Sequence, residues 1–287
     1  MEKVYFIKEI SESSLIKIYE ALGIKLKGKV AIKISTGELG GHNYLKPELI
    51  KGLVNKLNGT IVECNTAYEG NRNTTEKHIE VIKAHGFYDI APCDILDSEG
   101  YMELPLEGGI HLDRNYVGRN LKNYDSLLIL SHFKGHAMGG FGGALKNISI
   151  GIASSYGKAY IHGVGNPKDI WTANHDHFLE SMADAAKSVV DYLGKENIVY
   201  INVLNNLSID CDCDKNPKDP EIEDIGIMAS VDPVALDLAS VEAIYNHPSD
   251  KKTSLIKRIE KLNGKHTIDM AYNLELGKKE YEIIEIN

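Results

Sequence analysis

The sequence predicts an α/β protein of two lobes, with mainly parallel sheets flanked by helices and a ligand cleft between the lobes. Three patterns carry that prediction. Strand-like and helix-like segments alternate through the first third of the chain. Two later stretches, DSLLILS (125–131) and NIVYINVL (197–204), are near-continuous apolar runs, as in strands buried on both faces. Between them, Asn174 to Leu193 has helical periodicity, with Phe178, Met182, Ala185, Ala186, Val189, Val190 and Leu193 facing inward. The expected divisions are an N-terminal lobe over 1–92, a crossing segment over 93–124 and a C-terminal lobe over 125–287, whose tail can return to the first lobe. Clefts between lobes and strand-end loops are where ligands sit.

Taken in order, VYFIKEI (4–10) reads as a strand. The next helix carries Leu15, Ile16, Tyr19 and Leu22 on one face and stops at Gly23. In GKVAIKIS, Val30, Ile32 and Ile34 alternate as in a strand. KPELIKGLVNKLNG is a helix with Pro47 in its first turn and Asn58-Gly59 at its end. TIVEC is the third strand, and NTTEKHIEVIKAHG the third helix, with Asn73 and Glu76 placed as a capping box. From about Cys93 to Arg119 the chain is glycine-rich and weakly periodic, which predicts short strands and loops. DIGIMAS is a short strand, and in DPVALDLASVEAIY Asp232 caps a helix with Pro233 at its first position. HTIDMAYNLELGKKEYEIIEI reads as closing strands.

Composition narrows the function. The 287 residues are 43% hydrophobic and 25% charged, as in a globular protein with a real core. A net charge of −9, from 32 basic and 41 acidic residues, argues against nucleic acid or an anionic membrane as partner. No apolar run approaches the ~20 residues of a spanning helix. The start, MEKVYFIKEI, is too charged for a secretory signal, so a cytoplasmic location is expected. The four cysteines do not form a disulfide framework or a ferredoxin or zinc-ribbon spacing.

Chemistry concentrates in HAMGGFGGALKN, His136 to Asn147, directly after a buried strand. It is not a Walker loop, because Gly143 is followed by Ala144 and Leu145 before Lys146. Gly140, Gly142 and Gly143 also miss the spacing of a dinucleotide fingerprint. A glycine loop leading into a helix start still offers free N–H groups to an anion. His132, Lys134 and His136 share one face of an extended chain, and Lys146, Lys158 and His162 follow. Such a cluster at a strand end points to a site for a small anionic metabolite. DCDCD (210–214) is the second unusual feature: Cys211 and Cys213 are either soft-metal ligands or inward-packed residues of a tight acidic turn. His175 and His177 lie two apart, a poor metal pair on one helix.

The stretches SHFKGHAMGGFGGALKNISIGIAS, GKAYIHG, IDCDC and DIGIMASVDPVALDLAS resemble the domain of unknown function 362 family, as do VAIKISTGELGGHNYLKPELIKGLV, NTAYEGNRNTTEKHIEVIKAHGF and FLESMADAA. Its members are often labelled iron–sulfur centre proteins, and many carry a ferredoxin-like insertion after the stretch matching GKAYIHG. Here VGNPKDIWTANHDHF fills that slot without a cysteine. More distantly, His136, Gly142-Gly143, Lys146, Gly151 and His162 resemble the pattern of nickel-dependent lactate racemases. That resemblance implies that Lys146 anchors a nickel-pincer nucleotide, His162 ligates the metal and His136 transfers protons on a 2-hydroxy acid. The racemases' second histidine would fall near Cys93-Asp94, and KISTGELGGH occupies the place of their phosphate-binding pattern.

The expected activity is redox or isomerisation (racemase- or epimerase-like) chemistry with a metal- or nucleotide-type cofactor. His136, Lys134 and His132 are the candidate catalytic residues. Lys146, Gly142, Gly143, Lys33, Thr36, Arg72 and Lys158 are the candidate cofactor-binding residues, and His162, Cys211 and Cys213 the candidate metal ligands. Two alternatives stand beside it: an iron or iron–sulfur redox partner using Cys211, Cys213 and Cys93, and a non-catalytic anion-binding module.

Overall fold

The apolar runs become strands of a single sheet. The computed structural model describes Met1–Asn287 throughout. The first strands are β1 (Glu2–Ile7), β2 (Val30–Lys33), β3 (Thr60–Glu63) and β4 (Cys93–Ile95). A separate hairpin, β5 (Tyr101–Pro105) and β6 (Arg114–Gly118), precedes β7 (Ser126–His132). A second small hairpin pairs β8 (Lys134–His136) with β9 (Gly140–Gly142), and β10 (Ile198–Leu204), β11 (Gly226–Ser230) and β12 (Tyr281–Glu285) complete the set. The helices are α1 (Glu12–Ala21), α2 (Pro47–Leu57), α3 (Thr75–Ala84), α4 (Ala144–Ser149) and α5 (Ser155–His162). They continue with α6 (His175–Leu193), α7 (Pro233–Tyr245), α8 (Thr253–Lys261) and α9 (His266–Asn273). None is long and apolar enough to cross a membrane.

The eight-stranded sheet has the order β12-β1-β11-β10-β7-β2-β3-β4. β11 pairs antiparallel with both β1 and β10, and every other pairing is parallel, so β11 alone opposes the rest. The fold is therefore α/β with a mostly parallel sheet flanked by helices. Residues 1–92 and 125–287 contribute to this one sheet rather than to one sheet each: β7 lies against β2, and β12 returns to β1. The chain steps outward from β2 through β3 to β4, then comes back to place β7 and β10 on the other side of β2. Strand order thus reverses between β2 and β7, and a crevice opens there beyond the strands' carboxyl ends. Both faces are covered, because alternate residues of β7 enter opposite cores: Leu127 and Ile129 one, Leu128 and Leu130 the other.

Several caps follow the sequence. Asn174 accepts from the His177 N–H at 3.1 Å, Asp232 from the Ala235 N–H at 2.8 Å, and Asn58 ends α2 in the left-handed conformation. Two expectations change. α3 is capped by Thr74, which accepts from Lys77 N, while Asn73 bonds Glu69 and Lys77 side chains instead. In the tail only β12 is a strand; residues 266–273 form α9, whose buried Ile268 and Ala271 stand three apart as on one helical face.

α4 carries Lys146, and a buried carboxylate fixes its start. Asp237 of α7 accepts from the N–H groups of Ala144 and Leu145, each at 2.8 Å, and from Asn202 Nδ2 at 2.8 Å. Gly143 is required by this contact, since a Cβ there would lie 2.4 Å from Asp237 Oδ1. Burial raises the Asp237 carboxyl to about 6, against the hydrogen bonds that favour the anion. A raised folded-state value means that folding favours the protonated acid. Its stabilising contribution is fully present below about pH 4 and is lost as pH rises through about 6, a change of roughly 3 kcal/mol. Asp237→Asn is expected to remove that step from urea-unfolding free energies measured across this range. A variant whose stability keeps the wild-type pH dependence refutes the assignment.

Candidate functional site

At the reversal point the carboxyl ends of β2, β3 and β7 surround a cavity of about 740 Å³. Its lining includes His132, Lys134, His136, Lys146, His162, Cys211 and Cys213, so the glycine motif and the DCDCD turn face the same space. Lys33, Arg72, Lys158, Gly142 and Gly143 also line it. Thr36 and Cys93 do not; Cys93 sits at the start of β4, at the sheet's edge.

The first group at the wall is built on Asp212. Its Oδ1 lies 2.7 Å from His132 Nδ1, and its Oδ2 makes a 2.9 Å ion-pair contact with Lys134 Nζ. His132 Nε2 faces the Asn205 carbonyl at 2.8 Å. Both ring nitrogens meet acceptors, so each must carry a hydrogen for both bonds to form. Lys134 also donates to the His132 carbonyl at 2.9 Å. Burial works against all this charge, yet His132 and Lys134 hold the Asp212 carboxyl far below the usual range, and Asp212 in turn raises Lys134.

The second group is built on Glu63 at the end of β3. Lys33 Nζ lies 2.8 Å from its Oε2, and Thr36 donates from N at 2.9 Å and from Oγ1 at 3.2 Å to its Oε1. Arg72 Nη1 is 3.7 Å from the same oxygen, and Arg72 Nε donates to Glu38 at 3.2 Å. Burial opposes ionisation of Glu63, but Lys33, His78 and Arg72 bring it down to about 2. Burial lowers Lys33 despite this partner. Asn147 of α4 joins the group, accepting from Lys33 Nζ at 3.2 Å.

Lys146 differs from these cations. Its Nζ makes no hydrogen bond and has no carboxylate partner; burial lowers its pKa, partly offset by Cys211 and Cys213. Lys158 donates only to the Ala153 carbonyl, at 2.6 Å. The two cysteines are free thiols whose sulfurs, with a ring nitrogen of His136, all lie within 4.8 Å of one another. Cys211 is held well below the ordinary thiol range by the hydrogen of Cys213, with His136 and Lys146 assisting, while Cys213 is pushed well above it. Of the two, Cys211 is the sulfur that loses its proton more readily.

The two histidines beside Lys146 are oriented oppositely. His136 Nδ1 accepts the N–H groups of Met138 at 3.1 Å and Gly139 at 2.9 Å. Backbone amides only donate, so this nitrogen is unprotonated and the other carries the hydrogen. His162 Nδ1 donates to the Lys158 carbonyl at 2.8 Å, which leaves a lone pair on Nε2. Its ring stacks on Phe178 at 4.5 Å, and burial pulls its pKa down to about 3. A neutral, hydrogen-bond-oriented imidazole with an open nitrogen is a ready metal ligand.

Sequence reasoning overlooked the carboxylates Glu38, Glu63 and Asp212 and the amide Asn147. Glu63 had one readable signal, an acid at the inward-facing end of an apolar strand. Asp212 sat in view between the two cysteines but reads there as an ordinary turn residue.

No curated protein matches the sequence. Among solved structures, the lactate racemase apoprotein from Thermoanaerobacterium thermosaccharolyticum is similar in fold, with a TM-score of 0.52 and 19% identity. The match covers 84% of this chain and 56% of that one, so the chain spans little more than half of the racemase's length. A Thermotoga maritima protein from structural genomics matches at a TM-score of 0.46 and 14% identity over 91% of this chain and 58% of its own. The sequence profile described as Domain of unknown function (DUF362) matches residues 30–242, most of the chain, and the protein belongs to that family.

Proposed function

We propose that the cavity is the active site of a metal-dependent enzyme that carries out redox or isomerisation chemistry on a small anionic metabolite. The meeting of Lys146, His162, Cys211 and Cys213 in one cavity at the sheet's reversal point carries this proposal. Cys211, Cys213 and His162 are the proposed ligands, since two soft sulfurs and a neutral imidazole suit nickel, zinc or iron. A bound ion would supply Lewis acidity or, for a redox metal, a site for one electron. Lys146, without a carboxylate partner, and Lys158 are proposed to take the substrate's negative charge. Burial lowers the Lys146 pKa, which favours a role for it as base or nucleophile when it is not paired with the substrate's charge. His136 presents a fixed N–H and is proposed to donate to the Cys211 thiolate or to substrate. His132 and Lys134 are assigned to holding Asp212.

A nickel-pincer nucleotide fits this cavity only at one end. Lys146 and His162 suit its anchor and its metal. The residues expected to grip its phosphate do not: Lys33, Thr36 and Arg72 are already committed to Glu63 and Glu38. This favours a metal held by side chains over one carried by a nucleotide. The iron–sulfur alternative is weakened in the same way: three cysteines line the cavity where a cluster takes four ligands, and one of them, Cys64, is a buried thiol that donates to the Ile152 carbonyl at 3.3 Å. Four free thiols suit a reducing compartment, which supports the proposed cytoplasmic location.

Metal analysis and intact-mass measurement on anaerobically purified protein test the proposal. Wild type is expected to retain one equivalent of a transition metal. Cys211→Ser and His162→Ala each weaken retention at least ~10-fold, and Lys146→Ala leaves it intact. A wild-type protein that takes up no metal, even on reconstitution, rejects the proposal; a mass adduct abolished by Lys146→Ala would restore the nucleotide cofactor. The charge pairing makes a second prediction. Glu63→Gln releases Lys33, while Arg72 stays on Glu38, so it should bind inorganic phosphate at least ~10-fold more tightly than wild type while losing about 3 kcal/mol of stability. Isothermal titration and urea unfolding read the two effects, and unchanged phosphate affinity would show that Lys33 is not restrained by Glu63.

A further inference from the structure

A second cluster of metal-type side chains lies outside the cavity, where α6 begins. His177 and Glu180 stand three apart on its first turns and so share a face. His111 reaches them from the connection between β5 and β6, and its Nε2 contacts Glu180 Oε2. Ligand atoms of His111, His177 and Glu180 all lie within 4.8 Å of one another. The rings of His111 and His177 are 4.5 Å apart between centroids. His266, the first residue of α9, places Nε2 2.8 Å from the other Glu180 oxygen. None of the four lines the cavity.

What holds His111 in place is independent of any ligand. The buried carboxylate of Asp184, one turn beyond Glu180, accepts the N–H groups of Ile110, His111 and Leu112 at 2.8, 2.7 and 2.9 Å. Three backbone bonds to one carboxylate fix the loop against α6, so the His111 ring is aimed before anything binds. The remaining adjustment is small. Zinc bound at about 2.0–2.1 Å spaces nitrogen and oxygen ligands roughly 3.4 Å apart, and the exposed ring of His177 is free to close that distance.

We propose that His111, His177 and Glu180 form a site for a divalent transition metal of the zinc class, with His266 holding the Glu180 carboxylate in position. Two imidazoles and one carboxylate are a common zinc donor set, and solvent supplies the remaining ligand. The bound ion ties the β5–β6 connection to the start of α6. The residue after His177 is Phe178, on which His162 stacks, so the site steadies the helix turn behind the cavity.

The test uses Zn2+ calorimetry and Co2+ absorption on the full chain in a Cys211→Ser/Cys213→Ser background, which removes the two sulfurs proposed as ligands in the cavity. One equivalent of Co2+ is expected to give visible ligand-field bands without sulfur-to-metal charge transfer. His177→Ala and Glu180→Gln should each weaken Zn2+ binding at least ~10-fold, with His266→Ala having a smaller effect. His177 is exposed, so its variant should fold, and circular dichroism checks this. Absence of Zn2+ and Co2+ binding in the background overturns the proposal. So does binding that His177→Ala leaves unchanged. Should the double cysteine variant not fold, the same substitutions in wild type read the sulfur-free bands directly.

Discussion

The site depends on one buried charge, the carboxylate of Asp212. It is fully enclosed, and a lone carboxylate there would carry a desolvation cost of several kcal/mol. His132 at the end of β7 and Lys134 at the start of β8 supply the compensation. His132 reaches with its other nitrogen to the carbonyl of Asn205, just past β10, so the two neighbouring strand ends and the distant turn are joined through one ring. The Asp212 carbonyl also accepts the Glu38 N–H at 2.8 Å, which ties in the loop after β2. Because Asp212 lies between Cys211 and Cys213, fixing it fixes both sulfurs. Loss of either partner would strand the charge at a cost of about 3–5 kcal/mol, far more than a surface pair is worth.

The same economy of charge shapes what the cavity can recognise. Lys33, Arg72 and Lys134 would suit a phosphate if counted from the sequence alone. Each has its own carboxylate, and burial makes that pairing hard to give up. The cations left over are Lys146, whose pKa burial lowers, and Lys158, bonded to a carbonyl. Beside them sit a sulfur whose pKa is lowered and an open imidazole nitrogen. A space with little uncompensated positive charge and concentrated soft donors is a better match for a metal and a small anion than for a polyphosphate.

Much of this was legible in the sequence where the physics is local. Apolar runs at 126–132 and 198–204 could only be buried strands, and Pro47, Asn174 and Asp232 mark helix starts by their backbone chemistry. The density of His and Lys after β7 identified the cavity wall. What stayed hidden is long-range. The single sheet depends on β7 returning to lie beside β2, a pairing across nearly a hundred residues that no local pattern encodes. Glu63 and Asp212 look like ordinary acids until the fold delivers their cations, and His111 meets Glu180 only because Asp184 captures its loop. The short α9 was misjudged because a helix of eight residues offers too few turns for its period to stand out.

The glycines and histidines of the central motif show how the backbone decides what a sequence pattern means. Gly143 is small because Asp237 occupies the space a side chain would need, and Gly140 because it turns a hairpin at φ +77 against the backbone of Gly264. Both are explained by the protein's own packing, without a bulky cofactor; Gly142 faces the Lys134 and Lys146 side chains, which a Cβ there would meet at ordinary contact distance, 3.5 and 3.7 Å. His136 and His162 are chemically identical in sequence, yet two amide donors strip the hydrogen from one nitrogen of His136, while a carbonyl acceptor demands it on Nδ1 of His162. What each ring has left to offer the cavity is therefore opposite: a hydrogen from His136 and a lone pair from His162. The division of labour between donor and ligand follows from backbone groups at 138, 139 and 158, before any substrate or metal arrives.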